Sequence, residues 1–185
     1  MINEKDRLKE LLLEKSFEKR KVILASGRES DFYFDSKQTS LHPEGAFLLG
    51  KLFYDLIRKE FPEAQAVGGP TLGADPLATA VAIASHLSQD KKLPAFIIRK
   101  EPKKHGTQAW IEGVKNLSEG MPVVILEDVL TSGGSAKLAI EKARESGLAV
   151  KGVCVVVDRE EGGRENIEIM NIPVVSLFTK TQLLS

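Results

Sequence analysis

One run constrains this chain more than any other: Val123-Val124-Ile125-Leu126-Glu127-Asp128-Val129-Leu130-Thr131-Ser132-Gly133-Gly134-Ser135. Its apolar, β-branched start reads as a buried strand. Two adjacent carboxylates follow, then Thr, Ser and two glycines lead into the helix-like Ser135-Ala136-Lys137-Leu138-Ala139-Ile140. Small residues leave backbone N–H groups uncovered, and a helix start adds its positive end, so an anion can sit there. Glu127 and Asp128 beside such a cradle suit a ligand that joins a phosphate to hydroxyls or to a metal ion. The residues alone also allow a tight strand-to-helix turn with an acidic N-cap region. No Gly-Lys-Ser/Thr follows the glycines, which excludes a nucleoside-triphosphate loop, and the three spaced glycines of a dinucleotide site are absent.

The same alternation recurs along the chain. Interior strands near 65–67, 95–98, 123–127, 152–157 and 173–177 are separated by helical stretches, which predicts an α/β fold, a parallel sheet with helices on both faces and right-handed crossovers. Pro43 opens an amphipathic helix carrying Phe47, Leu48, Leu52, Phe53 and Ile57. Gly68-Gly69-Pro70-Thr71-Leu72-Gly73-Ala74-Asp75-Pro76 repeats the pattern of strand, small loop and helix, with Pro76 as helix start. This second loop can expose amides to another anion or be a plain turn. Upstream, Leu8, Leu11, Leu12, Leu13 and Phe17 form a helical stripe. Val22-Ile23-Leu24 and Asp31-Phe32-Tyr33-Phe34-Asp35 flank a polar turn and predict a hairpin, a small N-terminal hood. No repeat or low-complexity linker divides the chain, so residues 1–185 read as one domain, with 1–42 supplying the first helix and the hood.

Composition narrows the function classes. The 26 basic and 26 acidic residues cancel, which gives no support for broad binding to nucleic acid or to an anionic membrane. A single cysteine, Cys154, excludes an intrachain disulfide and a multi-cysteine zinc site, and its apolar neighbours make it a small buried hydrophobe. No apolar stretch is long enough to span a bilayer, and the charged N-terminus lacks a signal-peptide core, so a cytoplasmic location is expected.

The segment Arg99-Lys100-Glu101-Pro102-Lys103-Lys104-His105-Gly106-Thr107 is the most charged in the chain. Such a run is ordinarily a solvated face. Here it follows a buried strand, and in an α/β sheet that puts it at the edge where the other strand-to-helix loops gather.

The 123–135 run closely resembles the phosphoribosyl-pyrophosphate (PRPP) motif of type I phosphoribosyltransferases. The resemblance implies that Glu127 and Asp128 hold the ribose diol and that Thr131, Ser132, Gly133, Gly134 and Ser135 hold the 5′-phosphate. The loop at 69–71 resembles the family's pyrophosphate loop, which implies a PRPP contact at Thr71. Some relatives carry an aromatic residue and a lysine where this chain has Leu72 and Gly73, and a lysine where it has Ala25.

Arg-Lys-Glu-Pro-Lys-Lys-His-Gly resembles the catalytic loop of orotate phosphoribosyltransferases, which implies catalytic roles for Arg99, Lys100, Lys103 and His105 beside Asp128. The Ser-Gly-Arg turn with its aromatic strand is similar to the hood of that family. It implies orotate contacts along Phe32, Tyr33 and Phe34, and a PRPP contact at Lys37, which otherwise reads as a solvated hairpin end. Asp158-Arg159 matches the position where the family binds the orotate carboxylate; Thr131 joins that set. From the residues alone, Arg159 could also pair with Asp158 or Glu160. The implied reaction is transfer of phosphoribosyl from PRPP to orotate, with Mg2+ as cofactor and a homodimer whose loop closes over the neighbouring subunit's site. Few direct protein ligands to the metal are expected. The alternatives are transfer to another base, and a PRPP-sensing regulator without turnover.

Overall fold

The computed structural model describes residues 3–23, 29–30, 32–102 and 110–185. In chain order the elements are α1 (Glu4–Lys15), β1 (Phe17–Glu18), β2 (Val22–Ile23), β3 (Glu29–Ser30), β4 (Tyr33–Phe34), α2 (Lys37–Ser40), α3 (Pro43–Glu60), β5 (Ala66–Pro70) and α4 (Ala74–Leu87). There follow β6 (Ala95–Ile98), β7 (Ile111–Glu112), a short 3-10 turn (Val114–Asn116), β8 (Pro122–Leu130), α5 (Gly134–Glu145), β9 (Ala149–Asp158), α6 (Gly163–Glu168), β10 (Val174–Thr179) and α7 (Lys180–Leu184).

Six strands form one sheet in the order β10-β9-β8-β5-β6-β7. All neighbours run parallel except β7, which pairs antiparallel to β6 through Ile97↔Glu112 and Ile98↔Ile111. The five parallel strands coincide with the five apolar runs. The two-residue β7 has no period of its own to announce it.

Alternation along β8 and β9 explains why both faces are covered. Val124, Leu126, Cys154 and Val156 pack with Leu8 and Leu12 of α1, Phe53 and Ile57 of α3, and Leu77 and Val81 of α4. Val123, Ile125, Val153 and Val155 pack with Ala136, Ala139, Ile140 and Ala143 of α5 and Ile167 of α6. Each fully buried Leu, Ile or Phe of this kind contributes roughly 1.5–3 kcal/mol. Cys154 lies inside the first cluster, and burial pushes its thiol well above the usual range. Among the described residues no helix is long and apolar enough to cross a membrane.

The hood departs from the expected hairpin. β2 pairs with β3, and β4 pairs with β1, Phe17↔Phe34 and Glu18↔Tyr33. Phe17 therefore leaves the helical stripe for a strand, where it stacks on Phe32 with centroids 5.5 Å apart. The helix stops because Ser16 caps it, donating its backbone N–H to Leu12 while its hydroxyl meets Thr39 at 2.7 Å. Pro76 lies inside the first turn of α4 rather than at its start. A proline is tolerated there because first-turn amides have no partner within the helix.

Candidate active site

Parallel pairing sends the C-terminal ends of β5, β6, β8, β9 and β10 to one edge of the sheet. Thr71, Arg99, Thr131, Arg159 and Lys180 each stand one residue beyond such an end. Backbone bonds tie them together: the Thr71 N–H donates to Ile98 at 2.9 Å, and the Arg159 N–H donates to Leu130 at 2.9 Å.

The acidic pair lies near the C-terminal end of β8, with Asp128 two residues before Leu130 closes the strand. Glu127 is buried, and burial reinforced by the charge of Asp128 pushes its carboxyl well above the usual range. Asp128 is half-buried and accepts from two donors: Ser36 Oγ to Oδ2 at 2.7 Å, and the Val129 N–H to Oδ1 at 2.9 Å. The loop after β5 comes against the same carboxylate. A Cβ built on Gly73 would lie 2.5 Å from Asp128 Oδ1, so the position admits a bare backbone at this approach.

Past Leu130 the chain turns through Gly133, whose φ of 82° is left-handed and open to glycine. Ser132, Gly134 and Ser135 are exposed, Thr131 is half-buried, and the start of α5 has no side-chain cap. First-turn amides without a cap are donors for an anion. The turn is braced from behind by α6: Asn166 Nδ2 donates to the Ser132 carbonyl at 3.0 Å.

Arg159 is buried. Its Nε donates to Glu161 Oε1 at 2.8 Å, and its guanidinium carbon lies 4.5 Å from the centre of the Phe32 ring. Neither of the two acids next to it takes this bond. Asp158 holds Arg164 at 3.0 Å, and Glu160 accepts from the Thr181 N–H and hydroxyl at 2.9 and 2.6 Å. Phe32 joins Arg159 to the hood and also lies 5.1 Å from Lys180 Nζ. Tyr33 takes the guanidinium of Arg20 at 4.4 Å, and Phe34 is buried in the core.

The basic residues divide. Lys37 opens α2 and pairs with Asp35 at 2.7 Å; that contact, outweighing burial and aided by the charge of Asp128, holds its ammonium above the usual range. Arg99 turns to the edge strand, donating to Glu112 at 2.9 Å, and Lys100 is exposed. Thr71 Oγ1 donates to Asp75 at 2.8 Å. Lys103 and His105 lie outside the described residues. Trp110, just after them, packs under Lys142 of α5, with Nζ 4.5 Å from its ring.

The family described as "Phosphoribosyl transferase domain" matches residues 37–174. Over 178 residues the chain is 48% identical to the orotate phosphoribosyltransferase of Sorangium cellulosum (strain So ce56), covering 96% of this chain and 92% of that one. The chain belongs to the orotate phosphoribosyltransferase family. Among solved structures, the Mycobacterium tuberculosis H37Rv orotate phosphoribosyltransferase in complex with Fe(III) dicitrate has a TM-score of 0.84 at 36% identity, covering 98% of this chain and 99% of that one. The same enzyme in complex with PRPP gives 0.80 at 33%, covering 99% and 100%. The sheet and its flanking helices are the type I phosphoribosyltransferase fold, and the protein is a PRPP-dependent phosphoribosyltransferase.

Among the described residues, the motif positions Thr71, Arg99, Thr131 and Arg159 fall where the strand ends converge. Three contacts escape motif reading: Ser36 on Asp128, Glu161 on Arg159, and Glu112 on Arg99. The first joins residues 92 positions apart. No local pattern signals such a bond; Ser36 stands out only as a small residue before Lys37.

Proposed function

We propose that this chain transfers the 5-phosphoribosyl group of PRPP to orotate, giving orotidine 5′-monophosphate and pyrophosphate in pyrimidine biosynthesis. The observation that carries the choice of base is Arg159. A buried cation whose backbone N–H donates to Leu130, the residue before Thr131, and which is backed by an aromatic ring of the hood is chemically matched to a planar base that bears a carboxylate. Backbone of Phe32, Tyr33 and Phe34 together with Thr131 complete the base site in this reading.

Glu127 and Asp128 hold the ribose hydroxyls, and the uncapped amides of 131–135 hold the 5′-phosphate. Thr71 and Lys37 face the diphosphate. As the bond from C1′ to the diphosphate weakens, positive charge develops on the ribose and negative charge on the departing oxygens. The acids lie on the side of the first, and Lys103, His105, Arg99 and Lys100 serve the second. Preorganised charge of this kind can supply the largest share of a barrier reduction.

Two carboxylates crowded at the end of β8, one of them pushed up, fit a site completed by a cation as well as by hydroxyls. Mg2+ near Glu127 and Asp128 would neutralise diphosphate charge, taking most of its ligands from PRPP and water.

The working form in this proposal is a cytoplasmic homodimer of single-domain subunits. A groove of about 1030 Å³ runs between α3 and α4 and reaches Lys37, Leu72 and Asp75. Leu41, Phe47, Leu72, Ile83 and Leu87 are exposed along it, an apolar face that a second copy would cover. Its far end adjoins the acidic pair through Gly73, which suits a shared site.

The test is a panel of orotate, uracil, adenine, guanine and xanthine, each with PRPP and Mg2+. Orotate should be the base consumed. Arg159→Ala should weaken its use by about 1.5–3 kcal/mol, the worth of one charge-assisted hydrogen bond. Equal turnover of uracil by the unaltered protein defeats the assignment.

A further inference from the structure

We propose that Glu161 is a positioning residue for Arg159, aiming the guanidinium at the carboxylate of the base; this rests on the reading of Arg159 given above. The side chains of Arg159 and Glu161 are 5% and 19% exposed, so the pair is largely removed from water. Burying two charges costs about as much as their attraction returns, and the consequence of such a pair lies in geometry more than in stability. A guanidinium is a rigid planar fork of five donors. Here its root is fixed by the backbone bond to Leu130, its central carbon lies 4.5 Å from the centre of the Phe32 ring, and its Nε edge is taken by Glu161. With the central carbon and the Nε–H direction set, the direction of the two terminal nitrogens of a rigid planar group is set as well.

The loop is built to bring Glu161 back onto a residue two positions earlier. Glu160 has a left-handed φ of 58° and Gly162 one of 89°, so the chain reverses on both sides of Glu161. The unusual conformation of Glu160 is held by α7, through its two bonds to Thr181. Asp158 is occupied with Arg164 and with the Glu160 N–H at 2.9 Å. Each acid of this stretch therefore has its own post, and among the described residues the carboxylate that accepts from the Arg159 Nε is that of Glu161.

The experiment compares full-length Glu161→Ala and Glu161→Gln with the parent, varying orotate and PRPP separately and checking the fold by thermal unfolding. Glu161→Ala should raise the KM for orotate about tenfold, the effect of losing one hydrogen bond to a charged group, with kcat and the KM for PRPP within about twofold. Glu161→Gln, whose amide oxygen can accept from the same Nε–H, should return the KM for orotate to within about threefold of the parent. An unchanged or lowered KM for orotate in Glu161→Ala overturns the inference; a lowered one would make Glu161 a competitor of the substrate. Equal rises in both KM values, or a Gln variant no better than Ala, overturn it too. A parent that accepts uracil as readily as orotate defeats the reading of Arg159, and this inference with it, before any variant is compared.

Discussion

Ser36→Ala removes a hydrogen bond that ties the hood to the acidic pair. Ser36 is buried, and its hydroxyl donates to Asp128 Oδ2 at 2.7 Å. The other oxygen of Asp128 has the Val129 N–H, so the variant leaves the carboxylate held on one side only. A hydrogen bond to a charged acceptor contributes about 1.5–3 kcal/mol, and the half-exposure of Asp128 favours the lower end. About 1.5 kcal/mol corresponds to a roughly tenfold weaker hold on PRPP. Titration calorimetry with PRPP should show that loss, and kcat/KM for PRPP should fall in parallel while the order of preference among bases stays as it was. A double-mutant cycle supplies the decisive arm: in an Asp128→Ala background, Ser36→Ala should add nothing, because its partner is gone. The reasoning is refuted if Ser36→Ala binds PRPP like the parent, or if its cost is the same with and without Asp128.

Three further outcomes are expected. Lys103→Ala and Asp128→Asn subunits, each nearly inactive alone, should recover about half the parental activity when co-expressed and purified as a mixed dimer, if the loop crosses to the partner and the sites are independent; no recovery in a confirmed mixed dimer defeats the crossed loop. The raised carboxyl of Glu127 means that folding favours its protonated form, so its contribution is largest at or below the ordinary value of 4.5 and is lost as pH rises toward the folded value. Glu127→Gln should therefore gain stability relative to the parent from about pH 4.5 upward in urea titrations, with impaired turnover, and a pH-independent difference would contradict this. Gly163→Ala would set a Cβ 2.5 Å from the Thr131 carbonyl and 3.1 Å from the Gly133 N, so it should cost about 1–3 kcal/mol by overpacking and weaken PRPP binding; an unperturbed variant would show that the turn yields freely.

Much of the fold was legible because the buried parallel strands are continuous apolar runs, and all but the last are closed by a loop of small or charged residues. The sheet order was not, since β5 lies between β8 and β6 through pairings that no local pattern encodes. Phe17 misleads for a specific reason. It follows Leu13 by four residues, so helical spacing persists past the point where Ser16 turns its hydroxyl to Thr39 and ends the helix. Pro76 misleads in the opposite sense: a proline marks the first turn of a helix, not which residue of that turn it occupies.

The site divides along the same line. Its parts are loops, and each loop carries its chemistry in a short spacing of residues that can be read one segment at a time. Their mutual contacts depend on which loops the sheet brings side by side. Gly73 is the clearest case. In sequence it is a departure, a glycine where some relatives place a lysine. In the structure the space that its side chain would enter is taken by Asp128, which is itself held by Ser36. The missing side chain and the position of the acid are thus one arrangement: any residue larger than glycine at 73 must move the carboxylate or shift the loop. In the reaction proposed above, the charge that a lysine would have brought to this edge would come from elsewhere, and Lys37, paired with Asp35 at 2.7 Å and drawn also by the charge of Asp128, is the proposed source.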